Sequence, residues 1–386
     1  MPETHTPLWI SARKLEALLK TAPTPLFVYD EKSLVRAVQA LFAAFSWNLG
    51  FLPRFPVRMA PDPAVLRILR GAGCGALCRD GRELRLAAAC GFAGPAVAYA
   101  PMRPDAAAEQ LARELGAVFV LDGPQVLPAF APEAAVLLLR QKEPLRISGR
   151  PVMGAPVSSA GMDEAELCRL AASLHAGGTR TLGLGMSLGN LCLDEGFYPA
   201  VFAQLAAAAA RLQEKTGLTP QIFDLGGGFG VSYRPDCPGP DLSVCAAALR
   251  AQTCALPEAL RGVRLTMSPG RFLAAGGGVL VCRVLAIKPG PVAVLDVSAA
   301  QCLRLEKRGA YHAAAALRTA GRPPLLQQLT TLEQGAPFAR QVLPQLHVGD
   351  PVVIRMLGAD GRSFSCTSER CPAYLLRADG TIGPIE

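Results

Sequence analysis

The chain has 386 residues, 51% of them hydrophobic and only 18% charged, which supplies a large core and excludes a disordered chain. No apolar run reaches the roughly 18 to 20 uncharged residues that a membrane span needs. The polar start Met1 to Pro7 lacks the layout of a signal peptide, so a cytoplasmic protein with no membrane partner is expected.

The net charge of +8 comes from scattered arginines, with lysine occurring seven times, and aromatics are sparse. A clustered basic footprint is missing, so no nucleic-acid partner is expected. Twelve cysteines sit mostly in apolar patterns, as at Cys90, Cys168, Cys245 and Cys282, and read as reduced, buried thiols. The close pairs Cys74/Cys78 and Cys366/Cys371 lack zinc-site spacing and a neighbouring histidine, so no metal is expected.

In chain order, an amphipathic helix is predicted over 11–20 with Ser11 as N-cap, then a strand at Pro25-Leu26-Phe27-Val28-Tyr29-Asp30 and a helix over 31–45. A repeating beat of apolar run, turn and helix follows. The apolar runs fall near Val57, Ala76, Val97, Val118, Val136, Leu182, Ile222 and Leu265. The helical patterns fall at 64–71, 82–90, 105–115, 124–130, 163–175, 198–216 and 242–260. Such a series suits a (β/α)₈ barrel. The stretch 144–159 breaks the rhythm as an insertion or long loop.

After Arg271 the pattern turns to strands, expected at 279–288, 291–297, 345–356 and 373–376, with a helix over 303–318 and a turn at Ala378-Asp379-Gly380. The expected division is an N-terminal segment 1–34 joining the β domain, a barrel over 35–275, and a C-terminal mainly β domain over 276–386.

The stretch Asp224-Leu225-Gly226-Gly227-Gly228-Phe229-Gly230 puts bare backbone at the end of a strand, where N–H groups can close around an anion. Gly270-Arg271 downstream brings a permanently charged fork within reach of the same anion. A tight strand-to-helix turn with no ligand is the plainer alternative.

The entrance Thr24 to Asp30, Pro63-Ala64-Val65-Leu66, Gly81-Arg82-Glu83-Leu84, the glycine loop, Pro269-Gly270-Arg271, Gly309-Ala310-Tyr311-His312 and Val348-Gly349-Asp350 occur in one order. In these marks the chain resembles the fold-type III pyridoxal-phosphate decarboxylases, nearest diaminopimelate decarboxylase and more distantly ornithine decarboxylase. The resemblance implies a TIM-like barrel that holds pyridoxal phosphate, a C-terminal β domain, and a homodimer with shared sites.

The same resemblance implies losses. The Schiff-base lysine position reads Arg58, within Val57-Arg58-Met59-Ala60. A guanidinium stays protonated and cannot attack an aldehyde. Lys32, the nearest lysine in sequence, lies on the preceding helix and does not obviously replace it.

The two family histidines correspond to Gly185 and Ser187, and the glutamate paired with the pyridine nitrogen corresponds to Ser268. The cross-interface Cys-Glu pair falls at Thr331 and Leu332, and a C-terminal tyrosine that contacts phosphate falls at Asp360. The anion-binding half survives in Gly226, Gly227, Gly228, Gly270 and Arg271. Arg304 matches a substrate-carboxylate arginine, and Arg308 replaces a substrate tyrosine.

Three functions follow from this pattern. One is a non-catalytic homologue that binds a small anionic ligand, an amino acid or a partner subunit, including an active relative as a heterodimer. Antizyme inhibitors are the family precedent. The second is a pyridoxal-phosphate decarboxylase with a rearranged site. The third is a different enzyme that uses the arginines to stabilise an oxyanion. On this pattern the expectation is either pyridoxal phosphate held without a covalent link or no cofactor.

Overall fold

The computed structural model describes residues 8–140, 145–147, 150–151, 160–188, 191–234, 236–298, 301, 311–317, 320–333, 337–362 and 371–385. In chain order the elements begin with α1 (Ala12–Leu18), β1 (Leu26–Asp30), α2 (Glu31–Ala44), β2 (Leu52–Pro56), α3 (Pro63–Gly71), β3 (Gly75–Cys78) and α4 (Gly81–Ala89). They continue with β4 (Val97–Tyr99), α5 (Ala106–Glu114), β5 (Val118–Leu121), β6 (Ala134–Leu138), a short hairpin of β7 (Arg146–Ile147) and β8 (Arg150–Pro151), and α6 (Glu164–Ala176). Then come β9 (Thr181–Gly185), α7 (Phe197–Thr216), β10 (Ile222–Asp224), α8 (Leu242–Cys254), β11 (Arg264–Met267) and the short α9 (Gly270–Ala274). Strands follow: β12 (Gly278–Lys288), β13 (Val292–Leu295), β14 (Ala314–Ala316), β15 (Pro324–Thr330), β16 (Ala339–Pro344), β17 (Pro351–Ile354), β18 (Ala373–Leu376) and β19 (Ile382–Pro384).

Strands β2 to β6 and β9 to β11 form a closed parallel barrel, sealed where β11 pairs β2 through Thr266↔Leu52 and Met267↔Pro53. The period-2 alternation sends Ala98, Val118, Val120, Val136, Leu138 and Ile222 into one buried cluster inside it. Glycines make room on β9: a Cβ on Gly183 would crowd Ile222 and Val136, and one on Gly185 would crowd Asp224 and Leu138. The odd-facing residues, Phe55, Tyr99, Phe119 and Phe223 among them, pack outward against the helices in the large core. Aspartates start most of these helices by accepting a backbone N–H, as Asp80 does from Glu83 and Asp105 from Ala108.

The second unit is a nine-stranded sheet in which β1, from the N-terminal segment, lies between β12 (antiparallel) and β18 (parallel). Strand β12 spans eleven residues and pairs β17 and β1 along its first half and β13 along its second, with a register shift between Val284 and Ala286. That bulge lets one strand serve two curved halves of the sheet. The turn expected at Ala378-Asp379-Gly380 joins β18 to β19. Among the described residues no helix is long and apolar enough to cross a membrane, and no group of three potential metal ligands occurs.

The apolar run expected near Val57 is the first barrel strand, β2, which ends at Pro56 before a 3₁₀ turn at Val57–Met59. Three element expectations are corrected. The helix expected over 124–130 is a single 3₁₀ turn at Pro124–Val126, because Pro128 lacks the donor a helix would need there. The helix expected over 303–318 falls mostly outside the described residues, but Ala314–Ala316 is a strand paired with β17. The open edge of β17 offers a ladder that outweighs the helix propensity of alanine. Strands β15 and β16 were not expected, and the strand expected over 345–356 shrinks to Pro351–Ile354, its first half being a turn held by Asp350 and His347.

Gly358 sits where the loop after β17 meets the end of α9; a Cβ there would land on the Ala274 carbonyl and the Gly278 amide. Backbone cannot step aside as a side chain can. Gly358→Ala is expected to destabilise the fold by about 1–3 kcal/mol or more, read from the midpoint of urea unfolding.

Candidate functional site

The glycine loop leaves β10 at the C-terminal end of the barrel, where strand tips and βα loops frame a mouth. Gly226 adopts φ 69° and Gly228 φ 103°, the left-handed region that favours glycine. At Gly226 a Cβ would strike the Met186 carbonyl, so no other residue fits.

Asp224 closes the turn by accepting the Gly226 N–H at 3.0 Å, and Gly226 O in turn accepts from Ser268 N at 2.8 Å. Behind the loop, Tyr198 stacks on Phe229 with ring centroids 5.5 Å apart, and its hydroxyl donates to Gly226 O at 3.3 Å. Cys192 N donates to Gly228 O. Among the described residues, the N–H groups of Gly227 and Gly228 meet no acceptor, which leaves two adjacent donors at the mouth.

These glycines border a cavity of about 310 Å³. It brings together Arg58, Ser187, Gly227, Gly228, Ser268, Gly270, Arg271 and Asp360, residues singled out by sequence, with Arg79, Met59 and Phe229, which were not. Gly226 holds the loop from beneath. Gly270 lets Met59 pass, since a Cβ there would meet the Met59 sulfur and Pro56.

Arg58 stands on the 3₁₀ turn that ends β2, and its Nη1 is buried without a hydrogen-bond partner among the described residues. Burial first, and then the nearby Arg79 guanidinium, push its pKa below the ordinary arginine value, while Glu83 and Asp360 oppose that shift. Arg271 sits on α9 and donates from Nε (3.2 Å) and Nη2 (2.9 Å) to Asp360 Oδ2. Asp360 reaches the barrel from the loop after β17, with its own N–H donating to Met59 O at 2.8 Å.

Other expected residues lie elsewhere. Gly185 is packed within the barrel wall below the mouth. Thr331 is buried at the end of β15, and neither it nor Leu332 borders the mouth of its own chain. Lys32 lies on the outer face of α2, beside Glu31, Arg36 and Ala378. No lysine among the described residues borders the mouth. Arg304, Arg308 and Cys366 fall outside the described residues, while Cys371 is a buried free thiol, pushed up to about 11 mainly by burial.

Arg79 was legible in principle: the β3 alternation that points Gly75 and Leu77 inward points it inward too, one step beyond the strand end. A second hollow of about 460 Å³ shares Arg58 and Arg79 with the first and is bordered by Glu83, Tyr99, Arg103 and Asp105.

Residues 32–275 match the family described as pyridoxal-dependent decarboxylase, pyridoxal binding domain. The chain is 30% identical to Protein TabA of Pseudomonas amygdali pv. tabaci over 376 residues, covering 95% of this chain and 88% of that protein. It is 28% identical to diaminopimelate decarboxylase of Methanothermobacter thermautotrophicus over 387 residues, covering 94% and 88%. In three dimensions it resembles the diaminopimelate decarboxylase of M. jannaschii in complex with L-lysine, with a TM-score of 0.83 at 19% identity over 97% of this chain and 91% of that one. The lysine/ornithine decarboxylase of Vibrio vulnificus complexed with putrescine gives a TM-score of 0.76 at 19% identity over 94% and 97%.

The Tyr99 hydroxyl is buried without a hydrogen-bond partner among the described residues, and its pKa is pushed up to about 12, by burial first and then by Asp105, Glu109 and Asp80. A folded pKa above the unfolded value favours the protonated form in the fold. That contribution is complete below about pH 10 and is lost as pH rises toward 12. Tyr99→Phe is therefore expected to flatten the alkaline fall in stability between these pH values, as followed by urea unfolding.

Proposed function

Because this chain belongs to the fold-type III pyridoxal-dependent decarboxylase family, we propose that it is a member that binds a small anion at the barrel mouth and does not decarboxylate. The observation that carries this reading is Arg58 in the cavity wall, at the position the family gives to its Schiff-base lysine, with no lysine among the described residues around it. An internal aldimine needs an amine that can shed its proton, and a guanidinium does not supply one.

Pyridoxal phosphate supplies an electron sink for carbanion chemistry when it is bound, and its fit here is divided. A phosphate suits the uncommitted Gly227 and Gly228 amides, with Arg58 and Arg79 facing the same space. The aldehyde end would meet Arg58. The ring nitrogen would meet Ser268, which offers a hydroxyl and no negative charge. The reactive half of the cofactor therefore does not fit, and any pyridoxal phosphate would be held reversibly through its phosphate.

The alternative is a decarboxylase with a rearranged site, and the full-length similarity to diaminopimelate decarboxylase favours it. It would need a lysine from elsewhere in the chain. Assembly is part of the proposal. Exposed Leu326 and Val342 are directly paired across β15 and β16 and leave an apolar strip that suits a homodimer, or a heterodimer with an active relative, in the cytoplasm.

Purified chain is expected to bind inorganic phosphate in calorimetry and to release no carbon dioxide from meso-diaminopimelate, L-ornithine or L-lysine with pyridoxal phosphate present. Turnover of any of these would overturn the proposal. Arg58→Lys returns an amine to the position and is expected to create an adduct at residue 58 that borohydride traps with pyridoxal phosphate, read by peptide mass spectrometry. Sedimentation is expected to give a dimer, and a strict monomer would remove that part of the reading.

A further inference from the structure

Asp360 is the one carboxylate among the described residues that border the mouth, set among Arg58, Arg79 and Arg271. Its backbone is fixed in an unusual way. It has φ 61° without being glycine, and Met356, four residues earlier, has φ 60°. Gly361, which follows it, has no room for a Cβ between Leu357 O and Phe27. Arg362 then pairs with Asp62 and donates to Cys371 O. The loop thus presses a carboxylate into the barrel mouth, and its Oδ2 takes two N–H groups of Arg271. Arg271 is 10% exposed and Asp360 22%, so water weakens the pair less than it would a surface ion pair.

We infer that Asp360 sets the charge selectivity of the mouth: it stands in for a ligand carboxylate at Arg271, so the site admits dianionic phosphate monoesters and turns away monocarboxylates. The inference rests on the anion-binding reading above and names the ligand class. A free monocarboxylate must displace a carboxylate that is already tethered in place, and it brings no more charge than the one it replaces. A phosphate monoester brings nearly two charges above about pH 7. It can lie against Arg58, Arg79 and the Gly227 and Gly228 amides while the Arg271–Asp360 pair stays closed. Asp360 acts through Arg271 and is a positioning residue, so its effect is read as a ratio of affinities.

The test is calorimetry of the full chain and of Asp360→Asn at about pH 8, with inorganic phosphate and with acetate as probes. Asparagine tolerates positive φ, so the loop is expected to keep its shape, checked by thermal unfolding. The wild type is expected to prefer phosphate by at least about tenfold. Asp360→Asn is expected to tighten acetate by about tenfold or more and so narrow that ratio. An unchanged ratio, or weaker binding of both anions, would overturn the inference. Should the variant fail to fold, Asp360→Gly, which suits the backbone at φ 61°, decides: acetate tightened by about tenfold or more supports the inference, and an unchanged ratio of phosphate to acetate affinity overturns it. Binding of neither anion by wild type or variant defeats the anion-binding reading itself, whereas phosphate binding with an unmoved ratio defeats only the role of Asp360.

Discussion

Everything at the mouth depends on β1 being captured by a sheet that is mostly built from the other end of the chain. Its five residues are fully or nearly buried between β12 and β18, with Leu26 paired to Val281 and Phe27 to Ala373. The helix that follows immediately, α2, packs against α3, α8 and α9 of the barrel. One continuous stretch is therefore anchored in both units, and the loop after β17 is held against the barrel edge. Met59 O, Ala275 O and Gly278 O accept backbone N–H groups from that loop. The chemistry of the mouth is thus assembled from segments far apart in sequence, as where the Asp360 N–H meets Met59 O.

Within that frame, charge decides what the mouth can do. The barrel interior tolerates a buried Arg54, held by Pro95 O and influenced by Asp224, as part of its packing. Higher up, Arg58, Arg79 and Arg271 face one space with Asp360 as the only described carboxylate bordering it. The result is a cationic hollow with two backbone donors at one side that meet no acceptor among the described residues. That arrangement suits an anion. Its guanidinium groups are not the deprotonated amine that a carbonyl ligand would need.

The barrel was legible because its signals are local and repeated. Each apolar run is short, most of the following helices open on aspartate or proline (α7, capped by Gly196, is an exception), and inward glycines fall where strands crowd. The glycine loop was legible for the same reason, since Gly226 and Gly228 occupy backbone conformations that almost demand glycine. The β domain was read less well. Strand β14 is an alanine run that looks helical until β17 offers it an edge, and β15 with β16 carries Gln327, Gln328, Arg340 and Gln341 in place of a clean apolar alternation. Gln327 and Gln341 are buried and bond backbone groups across the sheet, contacts that no local pattern announces.

At the site, sequence placed Arg58, Gly270, Arg271 and Asp360 around one cavity but said nothing of who pairs with whom. Arg271 reads as an anion receptor in sequence, and in the structure a carboxylate from the other unit is already there. That contact spans 89 residues and two units. It depends on a positive φ at an aspartate, for which sequence gives only a weak hint. Arg79 escaped notice because it lies just past the end of its strand, where side-chain alternation continues but strand propensity has ended.

The central claim is that no amine of this chain takes the place of the missing lysine. The most direct measurement is to saturate the wild-type protein with pyridoxal phosphate, reduce with borohydride and map any adduct by peptide mass spectrometry. The account predicts an absorbance spectrum equal to that of free cofactor and no site-specific adduct. A single lysine labelled in full, accompanied by a shifted absorbance band that borohydride abolishes, would contradict it.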